Sequence, residues 1–176
     1  MSHHPSTHRS TLFSLLRITD EAKKVVNHSL NQHLTSRLRD GTLVLDVGRH
    51  KSISGGTIAT LGRGEDVDIF MEGHNISKYH CSFEIESKTM AIMLYDRSST
   101  QSTYPLGQTS FPFQHGRLRQ VVIIHDKFNT KIGIGGENPG IIQFKIVWPD
   151  NPENTLRKIK LLHDSINRYD DHPRRT

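Results

Sequence analysis

Arg63, Ser77, His80 and the hydroxyl-rich run Ser99-Thr100-Gln101-Ser102-Thr103 have side chains and placement that could do chemistry. Each lies at the edge of an apolar run that reads as a strand. Gly62-Arg63 closes Thr57–Leu61, Ser77 and His80 open Cys81–Ile85, and the hydroxyl run follows Met90–Tyr95. Three loops meeting at one end of a β-sandwich would gather a guanidinium and several hydroxyls. Such a group suits a small anion, most naturally a phosphate, because planar guanidinium donors can grip two oxygens at once.

The elements that must hold these residues are short and evenly spaced. Leu12–Ile18 is the first strand, and Thr19 with Asp20 and Glu21 reads as a helix N-cap and first turn. Ala22, Val25, Val26 and Leu30 fall at helical spacing, and residues 27–40 read as a long polar surface connection. Thr42–Val47, Thr57–Leu61, Val67–Phe70, Tyr79–Ile85, Met90–Tyr95, Val121–Ile124, Lys131–Gly135 and Ile141–Trp148 follow as strands, with a further short piece at Tyr104–Gly107. Gly, Asn, Asp and Pro punctuate them, as in the turns at 52–56 and 126–129 and the irregular apolar loop at 111–116. This spacing predicts an all-β sandwich of two twisted sheets. Short helices are expected in the N-terminal insertion and at the C-terminus. After Pro149, Leu156, Ile159, Leu162 and Ile166 lie at helical spacing with Arg157, Lys158 and Lys160 opposite. The expected organisation is a disordered tail at 1–10, a sandwich at 11–148, and a linker, amphipathic helix and polar tail at 149–176.

Composition narrows the partners. The 176 residues allow one domain with a full core, and a hydrophobic share of 34% is low enough that part of the chain reads as tail. No run approaches the roughly 20 apolar residues of a membrane helix, so no membrane partner is expected. The first residues lack a signal-peptide layout, and one cysteine, Cys81, excludes a disulfide framework and favours a reducing compartment, so an intracellular setting is expected, cytoplasmic or, given the positive charge, nuclear. A net charge of +5 calls for an anionic partner: nucleic acid, acidic lipid or phosphorylated protein. The histidines of the first ten residues have no fixed geometry, so neither a metal nor any other cofactor is expected.

In their order, Gly62-Arg63, Ser77-x-x-His80 and Ser99-Thr100-Gln101-Ser102-Thr103 together resemble the forkhead-associated (FHA) domain, a β-sandwich that binds phosphothreonine. The resemblance covers roughly residues 11–148 and is nearest to a divergent group of such domains in fungal proteins. It implies that Arg63 contacts the phosphate or the adjoining peptide, and that Ser77 offers its hydroxyl and backbone N–H. Lys78 would add a point charge, Thr100 a contact from the third loop, and His80 would brace the loops. Gly62 would be structural. The family usually has Asn-Gly where this chain has Gln101-Ser102. Gln101 would then reach the peptide backbone on a longer tether, and Ser102 would sit in a left-handed turn at a cost of about 1 kcal/mol. The family also seats the threonine methyl in a small recess, a burial worth roughly 0.8 kcal/mol.

The expected function is therefore a non-enzymatic phosphothreonine-peptide module, a signalling adaptor that could belong to a longer multidomain chain. No nucleophile–base pattern or acidic dyad accompanies His80, and Cys81 on its apolar run reads as core. Two alternatives remain. Arg117, Arg119 and the 157–160 basic face could bind nucleic acid, although no aromatic stacking series goes with them. A degenerate FHA scaffold could instead bind a partner without regard to phosphorylation. Gly133–Gly140 lacks the Gly-Lys-Ser/Thr of a P-loop and reads as a turn between the last two strands.

Overall fold

In the computed structural model, residues 11–48, 56–106, 119–123 and 130–170 are described. The expected tails at 1–10 and 171–176, most of the 52–56 turn, the 111–116 loop, the 126–129 turn, and Arg117 all lie outside them.

The short apolar runs pair into two sheets, with clear alternation of burial only in β11. The first has the order β2–β3–β1–β11–β10–β8 and is antiparallel throughout: β1 Phe13–Arg17, β2 Thr35–Arg37, β3 Leu43–Val47, β8 Thr103–Leu106, β10 Lys131–Ile134 and β11 Ile142–Val147. The second has the order β5–β4–β6–β7–β9, with β4 Thr57–Gly62, β5 Ile69–Phe70, β6 Cys81–Ile85, β7 Ile92–Asp96 and β9 Arg119–Ile123. Its one parallel pair is β4–β5. Phe13, Leu15, Leu45, Val47, Phe144 and Ile146 from the first sheet share one core with Phe83, Leu94, Cys81 and Ile92 from the second. The sheets meet where the Phe13 ring stands edge-on to Phe83 at 5.0 Å, with Trp148 at 5.3 Å on another side. This is the expected sandwich. Burial pushes the Cys81 thiol well above its usual range, which leaves it a core side chain rather than a nucleophile.

Helix α1 spans Asp20–Asn27 and buries Ala22, Val25 and Val26. Thr19 caps it by accepting from the Ala22 N–H, and donates its hydroxyl to the Ile141 carbonyl, tying the helix start to the approach to β11. Leu30 does not continue the helix. It is 57% exposed in a 3-10 turn, Ser29–Leu34, that the 27–40 segment was not expected to contain. That segment is more than a surface connection, since Asn31 is fully buried. Its amide donates to the carbonyls of Val25 and Phe70, and its carbonyl accepts the Phe70 N–H, each at 2.8 Å. A two-residue strand such as β5 has few ladder bonds of its own, and this amide supplies the missing ones.

Helix α2, Pro152–Asp170, lies at the C-terminus as expected, with a different buried face. Thr155, Ile159 and Leu162 are buried, whereas Leu156 is 41% exposed. Lys158 does not join a free basic face: its ammonium pairs with Asp150 and donates to the Thr11 carbonyl, so it seats the helix beside β1. Among the described residues no helix is long and apolar enough to cross a membrane.

Candidate functional site

Gly62 ends β4 where the chain must pass the Ser77-Lys78 backbone at close quarters. A Cβ at Gly62 would stand 2.2 Å from the Lys78 carbonyl oxygen. The missing side chain lets the Arg63 N–H reach the Ser77 carbonyl at 3.1 Å and the Gly64 N–H the Lys78 carbonyl at 3.0 Å. Arg63 then donates from Nε to the Ile76 carbonyl at 2.6 Å. That bond aims the guanidinium while its terminal nitrogens keep no partner among the described residues. Arg63 and Lys78 are exposed.

His80 is fully buried and organises the second loop. The Ser77 N–H donates to His80 Nδ1 at 3.0 Å, so Nδ1 must be the unprotonated nitrogen. The proton therefore sits on Nε2, 3.1 Å from the Ser102 carbonyl, and is donated to it. The imidazole thus bridges the second loop and the third. Burial is the main cause holding its pKa below the usual value, partly offset by the Ser102 carbonyl and by Asp96. The Ser77 N–H, which the resemblance assigns to an anion, is spent on His80. Ser77 keeps its hydroxyl, which accepts the Ser99 N–H at 3.4 Å, and the backbone N–H groups of Lys78 and Thr100 have no acceptor among the described residues.

Asp96, the last residue of β7 and only 4% exposed, shapes the third loop. Its Oδ1 accepts from the Ser98 N–H, the Ser98 hydroxyl and the Thr103 hydroxyl, and Oδ2 from the Thr103 N–H. The Ser98 hydroxyl in turn accepts the Ser102 N–H, and the Thr100 and Ser102 hydroxyls are 2.7 Å apart. Sequence reasoning passed over Asp96; an acid at a strand end before a hydroxyl run was the available signal. The left-handed residue is also not the one expected. Gln101 has φ 53°, whereas Ser102 does not take positive φ and is buried. The hydroxyl and N–H of Ser102 are both engaged inside the loop, and the turn takes its left-handed residue one position earlier, at the exposed Gln101.

A fourth loop, residues 135–141 between β10 and β11, completes this end. The Gly135 N–H donates to the Ser102 carbonyl at 2.7 Å, the same oxygen that receives His80. A Cβ at Gly135, where φ is +79°, would meet Ile76 at 2.7 Å. The Tyr104 hydroxyl holds the Gly136 carbonyl at 2.6 Å. The segment that reads as a simple turn between the last two strands is thus a buttress for two of the site loops.

Outside these loops, Arg97 lies 5.5 Å from both the Tyr79 and Tyr95 rings while pairing with Glu84 at 2.6 Å and donating to the Ser82 hydroxyl. Its N–H donates to the His80 carbonyl, which pins the 77–80 turn from the outer sheet face. Among the described residues no three His, Cys, Asp or Glu side chains cluster as a metal site would.

Protonating His80 would turn Nδ1 into a donor facing another donor. Because its pKa is lower folded than unfolded, the folded state binds fewer protons there, and stability rises with pH. The contribution is complete above the ordinary value of 6.5 and is lost as pH falls through that value toward the lowered one. Urea midpoints from pH 8 to pH 5 are expected to fall more steeply for the wild type than for His80→Gln. Parallel curves would remove His80 as the cause.

The sequence of residues 59–127 matches the family model of the FHA domain. The matched residues contain the first three site loops; β1–β3, the fourth loop and α2 lie outside the match. No curated protein matches the sequence. Among solved structures, an engineered FHA with Myc-pTBD peptide is similar over 85% of this chain and 98% of its own, at 13% identity and a TM-score of 0.49. Mycobacterium tuberculosis EmbR in complex with a low-affinity phosphopeptide is similar over 65% of this chain and 27% of its own, at 17% identity and a TM-score of 0.37.

Proposed function

We propose that the loop end of this FHA domain is a receptor for phosphothreonine peptides and that the chain acts as a non-enzymatic adaptor in phosphorylation-dependent signalling. The observation that carries this reading is the Arg63 guanidinium, aimed by its Nε bond and otherwise unpartnered, in the loop hydrogen-bonded to that of Ser77. Ser77 is in turn joined to the Ser99-Thr100 loop. A phosphate brings close to two negative charges and three strong acceptor oxygens. The Arg63 terminal nitrogens, the Ser77 and Thr100 hydroxyls, the Lys78 ammonium and the Lys78 and Thr100 N–H groups are the donors offered to it. Gln101 stands at the tip of the same loop for the neighbouring peptide backbone, while Gly62 and His80 hold the loops.

The test is fluorescence anisotropy against degenerate phosphothreonine, phosphoserine and unphosphorylated peptide libraries. Binding is expected for phosphothreonine alone. Charge-assisted bonds contribute roughly 1.5–3 kcal/mol, so Arg63→Ala is expected to weaken it more than tenfold with the thermal midpoint unchanged. A folded protein that binds none of the libraries, or whose binding ignores Arg63, sinks the proposal.

A further inference from the structure

We infer that Glu137, on the fourth loop, is a specificity-determining residue that selects a basic side chain in the peptide flanking the phosphothreonine. This deepens the proposed function and rests on it.

The 135–141 loop is held at several points. Gly135 donates to Ser102, Tyr104 holds the Gly136 carbonyl, the Gly140 N–H donates to the Glu137 carbonyl at 2.7 Å, and the Ile141 N–H donates to the Gly135 carbonyl at 3.0 Å. Its exposed tip, Glu137-Asn138-Pro139, is therefore presented from a fixed base rather than a swinging one. Gly136 faces Asn75, with the side-chain nitrogen 3.9 Å from where a Cβ would stand, and Asn75 is two residues from Ser77. Glu137 is thus within a few residues' length of chain from the anion donors, since an extended peptide advances about 3.3 Å per residue.

Charge gives the preference. Arg63 and Lys78 serve the phosphate at the centre, and Glu137 puts an opposite charge at the rim. It is exposed and has no ion pair among the described residues. A peptide whose phosphate is seated and whose flank passes over the fourth loop meets that carboxylate with a free side chain. A lysine or arginine there gains an ion pair, whereas an acid is repelled. Exposed pairs of this kind give roughly two- to fivefold selectivity, more at low salt. Other exposed acids lie on neighbouring segments: Glu65 and Asp66 in the turn after Arg63, Glu72 shortly before Asn75, and Asp20 beside Thr19, whose hydroxyl donates to the Ile141 carbonyl.

The experiment is a positional scan of phosphothreonine peptides against the full chain, wild type and Glu137→Lys, at low and moderate salt. The expected result is enrichment of lysine and arginine at one flanking position in the wild type. That enrichment should be lost or turned to acidic residues in Glu137→Lys, with phosphothreonine dependence unchanged. No basic enrichment, or enrichment that survives Glu137→Lys, overturns the inference, the second outcome pointing to another exposed acid such as Asp20, Glu65, Asp66 or Glu72. Absence of phosphopeptide binding in the wild type overturns the functional reading itself, and the inference with it; that result differs plainly from binding without a flank preference.

Discussion

Asp96→Ala is expected to destabilise the protein by about 3 kcal/mol and to abolish ligand binding by the third loop, although Asp96 need not touch any ligand. Four donors converge on this buried carboxylate: two N–H groups and two hydroxyls. Each buried donor left unmet costs roughly 1–3 kcal/mol, and water entering the space left behind offsets part of the sum. The loss should spread along the chain of bonds. Without Asp96 the Ser98 hydroxyl loses its acceptor, and its own acceptance of the Ser102 N–H loosens. The Ser102 carbonyl anchors both His80 and Gly135, so the second and fourth loops follow. Urea denaturation measures the first effect and phosphopeptide anisotropy the second. A variant within about 0.5 kcal/mol of the wild type, the ordinary range for surface changes, would show that the network is not what holds the loop.

Gly62→Ala is the second large effect. The added methyl would stand 2.2 Å from the Lys78 carbonyl oxygen, 2.8 Å from its carbon and 2.9 Å from the Ser77 carbonyl oxygen. All three are backbone atoms, so no side chain can rotate away, and the end of β4 or the Ser77-Lys78 turn must give way. Overpacking of this kind costs about 1–3 kcal/mol. Here the larger consequence is geometric, because parting these backbones breaks the bond from the Arg63 N–H to the Ser77 carbonyl and separates the guanidinium from the hydroxyl. Affinity is expected to fall by at least as much as in Arg63→Ala. Gly41→Ala is the control. Gly41, unlike Gly62, takes a positive φ, +87°, but nothing lies within 4 Å of its missing Cβ and it sits in the β2–β3 turn. That variant should lose stability and keep its affinity. Equal losses of affinity in both variants would mean that general destabilisation, not contact at Gly62, is responsible.

Much of this molecule was legible in local pattern. Short apolar runs bounded by turn residues placed β1, β3, β4, β10 and β11 to within a residue or two, and Thr19 with its acidic neighbours marked the start of α1. The three polar motifs lie at strand ends, as their positions predicted, and Cys81 and His80 are interior. These features depend on neighbours within a few residues, where periodicity, capping and turn chemistry act.

Only tertiary structure decided how the site is wired. The buttressing fourth loop, the capture of the Ser77 N–H by His80, the gathering of two hydroxyls and two N–H groups on Asp96 and the use of Lys158 as an anchor rest on approaches between separate elements or around a turn. The left-handed residue is Gln101 rather than Ser102 for the same reason, since Ser102 is buried and its backbone is bonded to Ser98, His80 and Gly135. Alternation tells which face a residue takes, because side-chain direction repeats every two residues along a strand. It carries no record of which distant carbonyl will lie opposite a given N–H, because that is fixed only when both sheets and all four loops have closed on a common core.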